Sequence, residues 1–248
     1  MGYVFDFKDA LAWEQGAPSS RRPSDSGLEE RLMLDLVTPR SGETVLDIGC
    51  GIGSSLRPFI EKGLSCTGLD ASPYMLDVAA KQFGQRVDLH RGRAEALPFD
   101  DNSFTYALLV TTLEFVDDPE LVLGEALRVA KDRVFIGFIN RYALKSLSLR
   151  VRAFLFESPY RHAKFYSLWE LKGMIHKLAG DVPVAWRTVC QVSAAQGSIA
   201  RRFEGFRLVQ HCPFGMFAGL AVSPNPRFRT RPLGLKIRPK HPAGSIVG

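Results

Sequence analysis

Residues 44–55 read TVLDIGCGIGSS: an apolar run interrupted by Asp47, then three glycines at alternate positions, Gly49, Gly51 and Gly53. Where a glycine-rich turn leaves a strand and enters a helix, backbone N–H groups approach a ligand that side chains would otherwise hold off. The spacing is G-x-G-x-G, and Ser54 stands where the dinucleotide fingerprint G-x-G-x-x-G has its last glycine. Asp47 is a second departure. A carboxylate at the end of this strand would repel a pyrophosphate. It suits a ligand that carries an ammonium group, or it pins the loop by accepting hydrogen bonds from backbone N–H groups. Cys50, between two glycines, reads as small filler.

Three further clusters follow in chain order. Asp70 ends the run GLD, 23 residues after Asp47. A carboxylate there accepts both hydroxyls of a ribose, or it simply opens the helix that begins at DASP. The stretch RGRAEALPFDDNSF carries Arg93, Ala94 and Glu95, then the rigid apolar step Leu97, Pro98 and Phe99. TTLEF contributes Thr111 and Thr112 at the end of another apolar run. For general acid–base work the candidates are His162 and Tyr166, in SPYRHAKFYSLWEL. Their competing reading is aromatic packing.

These residues need elements to hold them, and the pattern from residue 44 supplies alternating strands and helices. Strands are expected at TVLDIG, LSCTGLD, VDLHRG, SFTYALLVTTL and DRVFIGFIN. Between them, SSLRPFIEKG reads as a short helix capped by Ser54 or Ser55. SPYMLDVAAKQFG has Ser72 as its N-cap and Pro73 in the first turn, and DPELVLGEALRVA has Asp118 and Pro119 in the same places. A helix is expected over 28–37 after a loop over 17–27. Residues 141–180 read as helical throughout, with a break near ESPYR, and AWRTVCQV and MFAGLAVS read as two late strands. The expected fold is α/β: a Rossmann-like, seven-stranded, mostly parallel sheet with helices on both faces and an antiparallel edge strand.

The charge is uneven. The formal net charge is +6, and residues 223–248 hold Arg227, Arg229, Arg231, Lys236, Arg238 and Lys240 with no acid, so the rest of the chain balances. Such a tail touches acidic lipid or nucleic acid, or is a solvated extension. Residues 141–156, RYALKSLSLRVRAFLF, read either as an amphipathic helix for peripheral membrane contact or as a lid on the sheet. No run is long and apolar enough for a transmembrane segment. The four cysteines lack metal-site spacing, so no metal is expected, and reduced thiols point to a cytoplasmic protein.

VLDIGCGIG, GLDASPYMLDVA, AEALPFDDNSF and DPELVLGEALRV, in this order and spacing over residues 42–140, resemble the class I S-adenosylmethionine-dependent methyltransferases. Within them the chain is similar to the subgroup of the ubiquinone and menaquinone biosynthesis methyltransferases. The resemblance implies S-adenosyl-L-methionine as cofactor. It implies that Asp47 and the loop from Gly49 through Cys50, Gly51 and Gly53 hold the methionine part. Asp70 would hold the ribose hydroxyls, with Ala71, Ser72 and Met75 beside the adenosine. Ala94 and Glu95 would meet the adenine edge, and Thr111 and Thr112 would line the floor near the sulfonium. Two places depart from the family pattern: Thr105 stands where SFD is usual, and RVAKDRVF lacks the usual kPGG turn.

The expected organisation is one domain over 1–222: an N-terminal cap (1–40), a cofactor-binding core (41–140), a helical lid (141–180) and edge strands (181–222). A basic tail (223–248) follows. The acceptor is expected to be a small molecule, apolar or anionic. TTLEF replaces the Asn/Asp-Pro-Pro-aromatic run of enzymes that methylate amino groups in nucleic acid, and the chain has no Pro-Cys dipeptide for attack on cytosine. Two other functions stay open: a non-catalytic module binding the cofactor or its product, and an NAD-dependent oxidoreductase.

Overall fold

The computed structural model describes residues 2–14, 23–143, 146, 159–189 and 211–224. Most of the expected 17–27 loop, most of the 141–156 stretch and nearly all of the basic tail lie outside the described residues. The strands are β1 (Thr44–Ile48), β2 (Ser65–Asp70), β3 (Val87–Arg91), β4 (Phe104–Val110), β5 (Ala130–Ile139), β6 (Val184–Val189) and β7 (Phe217–Val222). The helices are α1 (Phe7–Glu14), α2 (Pro23–Val37), α3 (Arg57–Glu61), α4 (Pro73–Phe83), α5 (Pro119–Val129) and α6 (Leu168–Ala179).

All seven strands join one sheet in the order β3-β2-β1-β4-β5-β7-β6. β1 to β5 are mutually parallel, and β7 runs antiparallel to both β5 and β6. The antiparallel pairing expected at the sheet edge is present, with β7 inserted between β5 and the outermost strand β6. The chain works outward from β1 to β3, then returns to lay β4 on the other side of β1. That reversal opens a crevice at the carboxyl ends of β1 and β4, where open α/β sheets take their ligands.

Alternation along the strands builds two cores. Val45, Tyr106, Leu108, Phe135 and Ile139 pack with Leu32 and Leu36 of α2 and Phe59 of α3. Leu46, Ile48, Ala107, Leu109, Val134 and Ile136 pack with Val122, Leu123 and Ala126 of α5 and with Leu171 and Ile175 of α6. Each fully buried Leu or Val in these faces contributes roughly 1.5–3 kcal/mol. A period of two also fixes where Asp47 points: it shares the face of Val45, towards α3.

Local signals account for several helix starts. The Ser72 hydroxyl accepts from the Met75 N–H and the Asp118 carboxylate from the Leu121 N–H, each ahead of a proline in the first turn. Ser167 and Glu170 form a reciprocal capping box at α6. α1, which the sequence reading did not anticipate, begins with a similar device: Asp6 Oδ1 accepts from the Asp9 N–H at 2.9 Å and Asp9 Oδ2 from the Asp6 N–H at 3.0 Å.

Four expectations are corrected. α2 starts at Pro23, inside the expected loop, because proline in the first helical turn lacks only an N–H that would have no partner there. The SSLRPFIEKG segment splits into a 3-10 turn, Ser54–Leu56, and the short α3, with no side-chain cap; the Ser55 hydroxyl goes to Asp47 instead. Strand β4 ends at Val110, where Thr111 turns to a φ of 53°. The break expected near ESPYR extends further: a 3-10 turn at Pro159–His162 leads into a non-helical stretch over 163–167, and Tyr166 bridges to Asn140.

Both departures from the family pattern have structural counterparts. Thr105 and Thr44 exchange backbone and hydroxyl hydrogen bonds across β4 and β1. α5 runs into β5 without a turn, and the β4–β5 register shifts between Phe104 and Tyr106.

Candidate functional site

Asp47 is fully buried on β1. The Ser55 hydroxyl donates to its Oδ2, while Oδ1 has no hydrogen-bond partner among the described residues. Burial pushes the carboxyl up to about 7, the Ser55 bond lowers it, and the nearby Asp70 raises it further. A buried carboxylate oxygen without a donor is costly unless something cationic or protonated reaches it.

The three glycines differ in what they make room for. All have positive φ: 75° at Gly49, 53° at Gly51 and 80° at Gly53. A Cβ on Gly49 would lie 2.5 Å from the Thr112 methyl, and one on Gly53 would lie 2.6 Å from the Phe83 ring. Those two are glycine because protein packs against them. A Cβ on Gly51 would meet nothing within 4 Å, so this position alone in the loop faces open space. Cys50 turns inward: its Sγ sits where a Cβ on Gly68 would come within 2.8 Å, and burial raises its thiol well above the ordinary value. It packs inward, as expected of a small filler.

Asp70 braces this loop from the next strand. Its Oδ2 accepts from the Gly51 N–H and its Oδ1 from the Ser72 N–H, both at 2.8 Å. Burial raises its pKa and the backbone bonds oppose that. Each oxygen keeps a lone pair for a further donor. Ser72 is also buried; its hydroxyl donates to the Phe5 carbonyl at 2.6 Å, tying the N-terminal segment across the site. Met75 is buried one turn into α4.

Beyond Asp70 lies a cavity of about 400 Å³, walled by Gly2, Tyr3 and Val4, by Ala71, by Arg91 to Arg93 and Glu95, and by Phe115 and Val116. Its lining is aromatic and aliphatic on one side and charged at the β3 end, suited to a flat ring with a polar edge. Glu95 lies 3.4 Å from Arg93, whereas Ala94 is buried in the core behind the wall. The N-terminal wall falls within the expected cap over 1–40. The Tyr3 N–H donates to the Phe115 carbonyl at 2.9 Å, and the Tyr3 ring stacks on His162 at 4.6 Å.

Thr112 is anchored: its hydroxyl donates to the Ile48 carbonyl at 2.8 Å and its methyl fills the space left by Gly49. Thr111 is half-buried, its hydroxyl donating to the Val110 carbonyl. Of the acid–base candidates, His162 is exposed behind Tyr3, and Tyr166 is buried with its hydroxyl pushed up to about 12 by burial and by nearby Glu114 and Glu170. The structure therefore separates them. Glu114, a lone charge in an apolar run, is buried at the ends of β4 and β5 and accepts from the Ile139 N–H at 2.9 Å.

The strand ends thus offer a buried carboxylate able to meet a cation, a second carboxylate able to accept from hydroxyls, and a cavity able to take a ring. Comparisons with known proteins address the family. Residues 46–137 match the methyltransferase-domain family model. A demethylmenaquinone methyltransferase of Renibacterium salmoninarum is 41% identical over 101 residues, 41% of this chain and 42% of the relative. The chain thus matches less than half of that relative's length. A Thermotoga maritima structure described as an S-adenosylmethionine-dependent methyltransferase, possible histamine N-methyltransferase, is 24% identical with a TM-score of 0.61, covering 88% of this chain and 97% of that one. The [4+2]-cyclase SpnF has the same fold at 17% identity and a TM-score of 0.61, covering 88% and 92%. Strand order, the glycine loop between Asp47 and Asp70, and the family match together give this chain a methyltransferase domain over residues 46–137, similar to the class I S-adenosylmethionine-dependent methyltransferases and among them to the menaquinone-biosynthesis enzymes.

Proposed function

We propose that this chain transfers the methyl group of S-adenosylmethionine to a small-molecule acceptor. The observation that carries the reading is the buried Oδ1 of Asp47, without a hydrogen-bond partner among the described residues, in the strand that leads to Gly51, the one of the three loop glycines that faces open space. A cofactor with an ammonium end answers that oxygen; a pyrophosphate does not, which disfavours NAD. Asp47 holds the ammonium and the Gly49–Gly53 loop supports the methionine part. Asp70 accepts the ribose hydroxyls, Ala71, Ser72 and Met75 flank the adenosine, and Glu95 borders the adenine in the cavity, with Ala94 packed behind the wall. Thr111 and Thr112 form the floor near the sulfonium. When bound, the cofactor supplies an electrophilic methyl carbon for in-line displacement.

The protein's share is alignment and exclusion of water. The N-terminal residues 2–5 cover the crevice, and His162 braces them through Tyr3. Tyr166, with its raised pKa, keeps its proton at neutral pH and acts as a donor or a packing group; His162 is the remaining candidate base. The relatives named demethylmenaquinone methyltransferase support a small, apolar acceptor, and the exposed Arg91 and Arg93 at the cavity allow an anionic one. The working unit is the domain 1–222, in the cytoplasm. No helix among the described residues is long and apolar enough to cross a membrane.

A second reading keeps the cofactor and drops the methyl transfer. The likeness to a protein named a [4+2]-cyclase is its motive, since one fold hosts many chemistries. Calorimetric titration of the full chain with S-adenosylmethionine and with NAD tests the binding half. Binding of NAD alone would overturn the proposal. Transfer of label from methyl-labelled cofactor to small phenolic, quinol or carboxylate acceptors separates the enzyme from the non-catalytic module.

A further inference from the structure

The loop between β3 and β4 forms the charged end of the cavity, yet it has no regular secondary structure to hold it. Residues 97–102 run along α5, and their backbone groups need partners as any buried backbone does. Two side chains of α5 supply them. Glu125 Oε2 accepts from the Leu97 N–H at 2.8 Å. Arg128 donates from Nη2 to the Leu97 carbonyl at 3.2 Å and from Nη1 to the Phe99 carbonyl at 2.7 Å and Asp101 Oδ1 at 2.8 Å. Leu97 is thus gripped at both its N–H and its C=O. The Arg128 main chain joins in, its carbonyl accepting from the Asn102 N–H at 2.9 Å.

The two side chains also fix each other. Arg128 Nε lies 2.7 Å from Glu125 Oε1 and Nη2 2.8 Å from Oε2, a fork-on-fork pair. Their side chains are only 22% and 19% exposed, so solvent and salt loosen this pair far less than a surface bridge. The guanidinium accordingly holds the Glu125 carboxyl below its ordinary value. Apolar anchors complete the clamp: Leu97 is buried in the core and Phe99 packs edge-on against His90 and Phe104. Two residues before Leu97, Glu95 faces the cavity.

We propose that Glu125 and Arg128 are positioning residues that hold the β3–β4 loop so that Glu95 selects the base of the cofactor. This rests on the cofactor reading above. A carboxylate accepts from the exocyclic amino group of adenine and repels the carbonyl oxygen that replaces it in hypoxanthine. That choice requires Glu95 to stay at a fixed distance from the ring, which the grip on Leu97 provides.

The test uses the full chain with Arg128→Lys, Glu125→Gln and, as a control on the same helix, Glu120→Gln, which breaks the exposed Glu120–Lys177 bridge. Each is titrated with S-adenosylhomocysteine and with S-inosylhomocysteine, its deaminated counterpart, and its melting temperature is recorded. The wild-type chain is expected to prefer the adenine form. Arg128→Lys and Glu125→Gln should each lower that preference by about tenfold, as for the loss of one well-placed polar contact, while Glu120→Gln keeps it. A merely structural role would lower the melting temperature and leave the preference intact, and that outcome overturns the proposal. So does a wild-type chain that binds both forms equally. Should Arg128→Lys fail to fold, Glu125→Gln decides. A wild-type chain that binds neither ligand overturns the cofactor reading itself, a result distinct from the others.

Discussion

Replacing Asp47 with asparagine should make the ligand-free protein more stable and the cofactor complex weaker. The Asp47 carboxyl sits at about 7 in the folded chain against an ordinary 3.8. The folded state therefore holds this proton more tightly than the unfolded chain does. Below the ordinary value both states are protonated and nothing is lost. As the pH rises from there to 7 the unfolded chain gives up this proton while the folded state keeps it, so stability falls; above 7 the folded carboxyl is also charged and the loss levels off at roughly 4 kcal/mol. An asparagine side chain in its place would be neutral at every pH, although its amide would leave one polar group short of a partner. The net gain at pH 8 is then roughly 1–3 kcal/mol, or about 3–10 °C in melting temperature, and it should vanish near pH 4. The ammonium of S-adenosylmethionine would lose its counter-charge in the same variant, weakening binding by roughly 10–100-fold. For the wild-type chain, affinity should rise about tenfold per pH unit up to 7 and then flatten, with one proton released on binding. Differential scanning fluorimetry across pH, with calorimetry in buffers of different ionisation enthalpy, reads all of this. A variant no more stable at pH 8 than the wild type, or a wild-type affinity independent of pH between about 5.5 and 8, would refute the reasoning.

Other perturbations separate ligand space from packing. Gly51→Ala should weaken cofactor binding with a stability cost of only about 1–2 kcal/mol for its positive φ, whereas Gly53→Ala should lower the melting temperature more, with partial rescue by Phe83→Leu. Asp70→Ala should weaken cofactor binding by about 1–3 kcal/mol, and unchanged affinity in titration would remove Asp70 from the ribose role. Ser72→Ala should cost about 1 kcal/mol through the lost cap of α4 and speed hydrogen exchange at the Tyr3 amide, since the Phe5 carbonyl loses its tie; unchanged exchange would detach Ser72 from the N-terminal cover.

How much of this was legible beforehand depends on the range of the interaction. Ser72 before Pro73 and Asp118 before Pro119 cap their helices through a side chain three residues from its donor, so local sequence suffices. Strand alternation likewise put Val45 and Leu46 on opposite faces without any knowledge of what covers them. Asp6 and Asp9 carried a similar local signal for α1 that went unused. By contrast, Ser55 looked like a helix cap, and only the fold shows that a buried carboxylate eight residues earlier takes its hydroxyl. Tyr166 and His162, close in sequence, were separated because the chain turns extended at 163–167 and bridges to Asn140.

By itself the sequence determined the alternating α/β order, the starts of α4 and α5 and the Asp47–glycine–Asp70 signature, because these rest on periodicity and on contacts a few residues apart. The tertiary structure decided which glycine faces a ligand, that the N-terminal residues wall the cavity, and that Arg128 holds a loop some 30 residues away in the chain. Those outcomes depend on which elements become neighbours across the sheet. Residues distant along the chain meet there only once hydrophobic burial has stacked helices on both faces, and no local pattern records the meeting.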